Sequence, residues 1–362
     1  MNVLFLYNRP RTPLHAANLR GEEPDGNLYG FEAVKQYGVR PHFTDEGFTK
    51  RLGDPAYRWI ERWLSHRGAR VGFNLSQALN LRREFGRYDL VFATADSNAL
   101  PVLLLRKLGI IDVPIVYGTI GLAEAFRGHE NSRIFRFYRS LLPYADRIVY
   151  YGYGEGPILR DVYRVPEEKL RFIRIGADVD FFARPDPGPR EDYILSLGLD
   201  RRRDWLTLFR AVKGLEARVK VVTDPLPLRG MTWPANVEVL PPQGMREIRA
   251  LLAGAQFVVL PVAANCYTAA TLTLLQSMAA GKAVIVSKTE AIEGGYEFSF
   301  GEDLIAVPPG DVLLLRLAIK ALLADPERVA EMGRRAAERA RGTYPIVAYA
   351  RRIVDVFEDV LR

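Results

Sequence analysis

The sequence predicts an α/β protein of two domains, each with a parallel β-sheet covered by helices on both faces. Its 362 residues exceed what one ordinary core accommodates. Short apolar runs typical of buried strands alternate with longer helical patterns, and this series stops once, near residue 184, and then restarts. Because 48% of the residues are hydrophobic and 26% are charged, we expect a globular chain.

The apolar runs fall into two series, one in each half of the chain. In the first half, strands are predicted at Asn2–Tyr7, Tyr88–Thr94, Val113–Tyr117, Arg147–Tyr151 and Leu170–Ile175. In the second half, they are predicted at Tyr193–Leu197, Arg218–Thr223, Val237–Leu240, Phe257–Pro261 and Ala283–Ser287. Helical patterns cover Leu100–Leu108, Asp204–Val212, Met245–Ala253, Thr271–Ala280, Val312–Leu323, Pro326–Arg341 and Ile346–Arg362. Strands that alternate with helices favour parallel sheets.

The break between the two series is Arg184–Asp192, a polar stretch with three prolines and a glycine. Proline disfavours a helix or a central strand there, so this stretch is predicted to be the interdomain linker. We therefore expect a first domain over 1–188, a second over 189–343, and a C-terminal helix over 344–362 that returns to the first domain. Ligands of open α/β sheets bind at the carboxyl ends of the strands, so the two domains are expected to face each other across a cleft.

Composition also bears on location. The chain has no run of about 20 apolar residues, which a membrane-spanning helix would need. No basic region precedes the apolar run at the N-terminus, which favours a first strand over a signal peptide. The single cysteine, Cys266, excludes an internal disulfide. A cytoplasmic protein is expected, because a reducing compartment suits such a chain.

The net charge of +7 is concentrated in Lys50–Tyr88, which has nine basic and three acidic residues. Arg58 and Arg62 are four residues apart, as are Trp59 and Trp63, which predicts a helix with a cationic face and an aromatic face. Such a helix either lies on a membrane surface or packs its tryptophans into the core. The local charge favours an anionic partner, and we expect peripheral contact of 50–88 with an anionic membrane at its inner face. Nucleic-acid binding is disfavoured.

The segment Leu260–Ser287 predicts a phosphate site. A buried strand ends at Pro261, a polar loop follows, and a helix begins near Thr271. The first N–H groups of a helix lack intrahelical partners and lie at its positive end, where a diphosphate fits. Thr268 and Thr271 would add hydroxyl donors. An ordinary strand–loop–helix unit with threonine as the N-cap gives the same pattern.

Three arginines, Arg201 to Arg203, follow Gly198 at the end of the first strand of the second domain. Arginine suits bidentate recognition of phosphate, and this position lies at the edge where ligands bind. A solvated, charged turn is the alternative for one or two of the three.

These stretches resemble family 4 of the retaining GT-B glycosyltransferases, which have two Rossmann-like domains. The resemblance rests on the segment from Ala145 to Phe182, on YILSLG with RRRDWLTLFRA from Tyr193, and on LLQSMAAGKAVIVS from Leu274. NLYGFEAVKQYGV from Asn27 looks like the first helix of that family. Their order and spacing along the chain also agree with the family.

The resemblance implies a hexosyltransferase that moves a sugar from a nucleoside-diphosphate sugar to an acceptor hydroxyl with retention. UDP is the commonest nucleotide of the family, and glycans and lipid-linked acceptors of the cell envelope are common. No cofactor is implied. The four histidines lack metal-ligand spacing, so a metal-independent reaction is expected. The donor residues carried over are Gly198, Arg203, Asp204, Asn265, Thr268, Thr271, Leu272 and Gln276, with Arg203 as the catalytic group.

The acceptor side is expected in the loop after the first strand, at Asn8, Arg9, Arg11 and His15. This assignment comes from position alone, and the alternative for His15, a histidine on a surface loop, is favoured.

The sequence departs from the family at three places. Thr268 and Gln276 stand where two glutamates are usual, Leu199 stands at a usual arginine, and Gly118 follows the strand after which many members have a histidine. Two competing hypotheses follow. One is a catalytically degenerate GT-B protein that acts as a binding or regulatory partner, and the other is a different GT-B sugar-nucleotide enzyme.

Overall fold

The computed structural model describes residues 1–48, 54–66, 71–184 and 191–362. These residues divide into two α/β units, each assembled from separate stretches of chain. Unit 1 comprises Met1–Leu19, Asn27–Arg174 and Tyr349–Arg362, and unit 2 comprises Arg20–Gly26 and Ile175–Ala348. Most of the predicted linker, and residues 50–53 and 67–70 of the basic segment, lie outside the described residues.

Unit 1 has a six-stranded parallel sheet in the order β2-β1-β3-β4-β5-β6. Its strands are β1 (Asn2–Leu6), β2 (Arg40–His42), β3 (Leu90–Ala93), β4 (Ile115–Gly118), β5 (Arg147–Tyr150) and β6 (Leu170–Phe172). Every residue of β3 and β4 is buried, because helices cover both faces of the sheet. Continuous apolar runs such as LVFA are the sequence signature of strands in this position.

The α-helices of unit 1 up to its sixth strand are α1 (Thr12–Leu19), α2 (Asp54–His66), α3 (Leu75–Leu81), α4 (Asp96–Lys107), α5 (Leu122–Ala125), α6 (Arg133–Arg139) and α7 (Glu155–Asp161). The helix expected from Asn27 is not an α-helix. Two 3-10 turns, Asp25–Leu28 and Ala33–Tyr37, stand there instead. Tyr29 and Gly30, between these turns, have φ of 56° and 72°, which an α-helix does not accommodate.

Unit 2 has a second six-stranded parallel sheet, in the order β12-β11-β10-β7-β8-β9. Its strands are β7 (Tyr193–Leu197), β8 (Arg218–Val222), β9 (Val237–Leu240), β10 (Phe257–Leu260), β11 (Val284–Ser287) and β12 (Ile305–Val307). The remaining helices are α8 (Val179–Ala183), α9 (Trp205–Val212), α10 (Met245–Gly254), α11 (Thr271–Ala279), α12 (Glu290–Glu293), α13 (Val312–Leu323), α14 (Pro326–Thr343) and α15 (Ile346–Leu361). Across the described ranges, no helix is both long and apolar enough to span a bilayer.

The strand order places a topological switch point in each sheet. In unit 2 the chain builds outward from β7 through β8 and β9, then returns to the other side of β7 with β10. In unit 1 the same reversal separates β1 from β3. Open α/β sheets bind ligands just beyond the carboxyl ends of the strands at such points. These two edges are therefore where side chains for chemistry are expected.

Most of α15 belongs to unit 1, although it is the last helix of the chain. The Phe357 ring meets the rings of Phe5 and Phe92 edge-on, at centroid distances of 6.3 and 5.4 Å. Asp359 accepts hydrogen bonds from Arg147 at 2.8 Å and Arg171 at 2.9 Å. The apolar face of this helix thus completes the core of unit 1.

Candidate functional site

Two loops meet at the switch point of unit 2. One runs from Gly198 at the end of β7 to Asp204, and the other runs from Pro261 at the end of β10 toward α11. The Asp204 N–H donates to the Pro261 carbonyl at 3.0 Å, and the N–H of Ala263 donates to the Arg202 carbonyl at 2.8 Å. These backbone bonds hold the basic loop against the polar loop.

The Arg203 side chain lies directly against Gly198. A Cβ on Gly198 would lie 2.0 Å from Arg203 Nε, and its φ of +151° is one that residues with side chains rarely adopt. The Gly198 carbonyl also accepts a 2.9 Å hydrogen bond from Thr223 Oγ1, which fixes the end of β7. Residue 198 therefore has to be glycine for Arg203 to occupy this position.

Arg203 is a buried cation with unused donors. It is 7% exposed, and its Nη2 donates to Thr273 Oγ1 at 3.0 Å. Its Nε and Nη1 are buried and have no hydrogen-bond partner among the described residues. Burial lowers its pKa to about 10, against the opposing charges of Asp200 and Tyr267, so it stays positive at neutral pH. Buried unpaired donors are costly, and an anion bound here would satisfy them.

The same two loops are joined by a pair that the sequence did not reveal. The Tyr267 hydroxyl lies 2.7 and 2.8 Å from the two carboxylate oxygens of Asp200. Asp200 also accepts a hydrogen bond from the Arg202 N–H at 2.7 Å. The sequence does show a carboxylate, Asp200, soon after the end of β7. It does not show the partner, Tyr267, which is 67 residues away along the chain.

Within the described residues, no side-chain hydrogen bond caps the start of α11. The N-cap is Ala270, which has no side-chain oxygen, so the interpretation of this segment as a threonine-capped helix does not hold. Thr271 Oγ1 is buried without a hydrogen-bond partner in the described part of the chain. The first N–H groups of the helix, at Thr271 and Leu272, thus have no side-chain cap, which is the arrangement that anions favour.

The other predicted donor residues are distributed around this helix. Asn265 lies in the polar loop, where its amide nitrogen donates to the Ala263 carbonyl at 2.7 Å and its Oδ1 is buried without a described partner. Thr268 is half-buried in the same loop, whereas Gln276 is buried within α11 itself. Asp204 caps α9 by accepting hydrogen bonds from the N–H and hydroxyl of Thr207. Asp204 therefore has a structural role.

A short segment from the beginning of the chain, Arg20–Gly26, also belongs to unit 2. A Cβ on Gly26 would lie 3.9 Å from Leu272 Cδ1, so this glycine is next to the first turn of α11. The Asp25 N–H donates to Asp178 Oδ2 at 3.1 Å and anchors the segment. Sequence reasoning missed it because the contact spans most of the chain.

In unit 1, the predicted acceptor residues follow β1 at the other switch point. Asn8 and Arg9 come directly after the strand, and Arg9 is exposed. The Arg11 guanidinium lies over the Tyr7 ring at 5.1 Å, and its Nε is buried with no hydrogen-bond partner in the described ranges. The Arg11 N–H donates to Asp45 Oδ1 at 2.8 Å.

His15 lies in α1 and is partly buried. Its Nε2 is 2.8 Å from Glu32 Oε1, and its ring meets Phe31 and Phe43 edge-on at 5.2 and 5.3 Å. It is therefore a fixed, paired side chain rather than a histidine on a surface loop.

Two buried carboxylates in unit 1 were not predicted. Asp96, just beyond β3, accepts hydrogen bonds from Thr119 Oγ1 and the Ile120 N–H, both at 3.0 Å, and burial raises its pKa. Glu155 accepts a bond from the Gly152 N–H at 3.0 Å, and burial raises its pKa to about 8. Both carboxylates hold loops that follow strands of the sheet.

Gly118 ends β4, where the resembling family often has a histidine. A Cβ at this position would lie 2.9 Å from the Tyr151 hydroxyl oxygen. The neighbouring Tyr151 hydroxyl is in turn 3.2 Å from that of Tyr349 on α15. Tyr151 therefore leaves no room for a side chain at residue 118, the position where the chain departs from the family.

Comparison with known proteins agrees with this arrangement. The family described as "Glycosyl transferases group 1" matches residues 203–325, which include Arg203, the polar loop and α11. Curated proteins give no match to the sequence.

Solved structures share the fold along the whole chain. Sucrose-phosphate synthase from Thermosynechococcus elongatus has a TM-score of 0.73 and 16% identity, covering 99% of this chain and 98% of that chain. HepE of Anabaena, solved with UDP-glucose, has a TM-score of 0.69 and 14% identity, covering 99% and 100%. WaaG, a glycosyltransferase involved in lipopolysaccharide biosynthesis, has a TM-score of 0.62 and 14% identity, covering 98% and 99%. The predicted α/β fold of the GT-B glycosyltransferases is confirmed.

Proposed function

We propose that this protein is a glycosyltransferase that moves a hexosyl group from a nucleoside-diphosphate sugar to an acceptor hydroxyl with retention of configuration. The observation that carries the proposal is Arg203, a buried cation at the switch point of unit 2 with two donors that have no partner among the described residues. The match of residues 203–325 to a glycosyltransferase family supports it.

The chemistry follows from the charge that develops when the sugar leaves. Breaking the glycosidic bond to the diphosphate places negative charge on the leaving phosphate oxygens. Arg203, the first N–H groups of α11 and the Thr271 hydroxyl are donors aimed at such a group, and preorganised donors are usually the largest catalytic contribution. The Gln276 amide retains an acceptor for the donor ribose, but Thr268 supplies no carboxylate to the sugar.

UDP is the favoured nucleotide. This preference rests on the resemblance to family 4, and the complex of HepE with UDP-glucose supports it. We propose a metal-independent reaction without a resident cofactor, because the protein groups named above supply the positive charge that a metal ion would otherwise provide.

We propose that the acceptor binds beside β1 of unit 1, near Asn8, Arg9, Arg11 and His15. The buried Arg11 Nε, which has no hydrogen-bond partner in the part of the chain that the structure describes, supports this position. A glycan or lipid-linked acceptor of the cell envelope fits the resemblance, and the role of WaaG in lipopolysaccharide biosynthesis supports it.

Peripheral contact with an anionic membrane, at its cytoplasmic face, is part of the proposal. Trp59 and Trp63 on α2 are 62% and 43% exposed, and Arg58 and Arg62 are exposed beside them. The two tryptophans therefore do not pack into the core of unit 1. Exposed tryptophans next to arginines suit a helix that lies in a membrane interface.

Replacement of Arg203 tests the proposed chemistry. With a panel of nucleoside-diphosphate sugars, we expect Arg203→Ala to lower turnover more than tenfold, because the charge on the leaving group loses its cation. Arg201→Ala, an exposed arginine of the same loop, is the matched control and should retain turnover. Unchanged turnover in the Arg203 variant would contradict the proposal, as would wild-type protein inactive with every donor.

A further inference from the structure

Unit 2 has a second cationic cavity, apart from the loops that hold Arg203. Its volume is about 250 Å³, below the size of pockets that take drug-sized ligands, so it suits a small ion or group. The residues that line it are Arg20, Gly21, Glu22, Phe181, Arg246 and Arg249. Three of these side chains are cations and one is an anion.

The carboxylate of this cavity is already engaged. Glu22 accepts two hydrogen bonds from Arg20, from Nε at 3.0 Å and from Nη2 at 2.7 Å. The hydrogen bond from Arg20 lowers the pKa of Glu22, and the charge of Arg246 adds to this effect. Among the described residues that line the cavity, no second carboxylate remains for Arg246 and Arg249.

The placement of Arg246 and Arg249 on α10 is electrostatically unfavourable without an anion. They are three residues apart, so they share a face of the helix and repel each other. Arg246 is also in the first turn, where the helix dipole is positive and disfavours cations. The acid of that turn, Glu247, approaches Gly244 and does not line the cavity.

The cavity is also partly preorganised. The Arg249 guanidinium lies over the Phe181 ring at 5.1 Å, and its Nε is buried with no hydrogen-bond partner among the described residues. Arg184 lies over the same ring at 5.8 Å and donates to the Gly21 carbonyl at 3.2 Å. The ring and the Arg20–Gly26 segment therefore hold the guanidinium groups of Arg249 and Arg184 before any ligand arrives.

We propose that this cavity binds the phosphate group of a small phosphorylated molecule. Arginine forks match phosphate oxygens bidentately, and one phosphate would relieve the repulsion between Arg246 and Arg249 and satisfy the buried Nε. The site is distinct from the donor diphosphate site, which depends on Arg203 and α11. A lipid headgroup presents the same phosphate chemistry as a soluble ester.

The test measures the affinity for inorganic phosphate in a chloride buffer by isothermal titration calorimetry. The double variant R246A/R249A should bind phosphate at least tenfold more weakly than wild type. R210A/R328A removes the same charge from two exposed arginines of unit 2 and should bind as wild type does. Arg246→Gln is a second variant, and it should retain the fold because it changes a single exposed side chain. Circular dichroism checks that every variant is folded.

The outcomes separate this site from the donor site. Phosphate binding that survives in Arg203→Ala but is lost in R246A/R249A supports the proposal. Loss in Arg203→Ala alone, an equal loss in R210A/R328A, or no binding by wild type overturns it. Glycerol phosphate and vesicles containing phosphatidylglycerol identify the source, with the vesicles tested in the Trp59→Ser/Trp63→Ser background, which removes the proposed contact of α2. The cluster variants should then lose binding to the soluble ester, to the vesicles, or to both. Retention of both overturns the proposal.

Discussion

At the scale of single residues, the donor side of unit 2 depends on a position without a side chain. Gly198→Ala would place a Cβ 2.0 Å from Arg203 Nε, a steric clash that would force that guanidinium away from Thr273. We expect this variant to lose stabilisation by UDP or its sugars, and to lose turnover more than tenfold. Thermal unfolding with and without nucleotide measures the first effect, because a ligand that binds only the folded state raises its stability.

A second glycine of unit 2 provides the control for Gly198. Gly214 has a φ of +70°, and no atom of the described residues lies within 4 Å of a Cβ built there. Gly214→Ala should therefore cost about 1 kcal/mol of stability from backbone strain alone and leave nucleotide binding unchanged. Equal loss of binding in the two variants would show that strain, not the displacement of Arg203, is responsible.

The buried Glu155 predicts a pH dependence of stability. Its pKa is about 8 in the folded protein because burial disfavours the charge, against a reference value of 4.5. The folded state thus keeps a proton that the unfolded chain loses, so the stabilisation is complete at low pH and is lost as the pH rises through about 8. Between pH 5.5 and 7.5 this loss is on the order of 2 kcal/mol.

Glu155→Gln isolates that contribution, since glutamine still accepts the hydrogen bond from Gly152 but does not titrate. The free energy of unfolding in urea should fall more steeply with rising pH for the wild type than for the variant. Asp96, whose pKa burial also raises and whose charge contributes to the raised pKa of Glu155, is present in both proteins. Parallel pH profiles would show that Glu155 titrates near its usual value.

What the sequence reveals about single residues depends on how far apart the partners are. Gly198, Arg203 and Thr271 could be predicted because each stands next to a strand end or helix start that the local pattern marks. The pairs Tyr267–Asp200 and Asp96–Thr119 could not, because only the folded sheet brings their loops together.

At the scale of elements, α2 is a case in which side-chain exposure bears on two interpretations of one pattern, and the membrane contact proposed above rests on it. Its spacing of tryptophans and arginines fits a core helix and an interfacial helix equally, and the exposure of Trp59 and Trp63 favours the second. Trp59→Ser with Trp63→Ser should lower sedimentation with phosphatidylglycerol vesicles at least fivefold. Glycosyl transfer to a water-soluble acceptor should be retained.

The control for α2 is Trp233→Ser, since Trp233 in unit 2 is as exposed as Trp63, at 43%. Equal partitioning of wild type to neutral and anionic vesicles, or none to either, would count against the membrane contact. If Trp233→Ser lowers sedimentation with the vesicles as much as the double variant does, the membrane contact lies on another surface.

Strongly patterned elements were predicted closely, and weak ones were missed. All ten predicted strands exist, because buried parallel strands are continuous apolar runs. The edge strands β2 and β12, of three residues each, were missed, and β2 (RPH) contains no apolar run. The helix expected from Asn27 was wrong because its apolar spacing says nothing about the positive φ of Tyr29.

At the scale of the whole molecule, each unit is discontinuous in sequence, and this limits what composition predicts. Proline and glycine placed the predicted boundary at Arg184–Asp192, but the division in the structure follows contacts and falls at Arg174 and Ile175. The excursion of Arg20–Gly26 into unit 2 has no compositional signal. The segments that share one core are determined by how their side chains pack in the folded protein, and composition does not reveal this.

The return of the chain at Tyr349 makes the stability of unit 1 depend on the C-terminal helix. Phe357 is fully buried against Phe5 and Phe92, so Phe357→Ala should cost about 3–5 kcal/mol through lost burial and the remaining cavity. Leu361→Ala, at an exposed position of the same helix, should cost less than about 1 kcal/mol.

Hydrogen exchange shows in which strands Phe357→Ala lowers the stability. Exchange should accelerate in β1 and β3 while β7 and β10 stay protected, and equal acceleration in both sheets would mean that the two units unfold as one cooperative body.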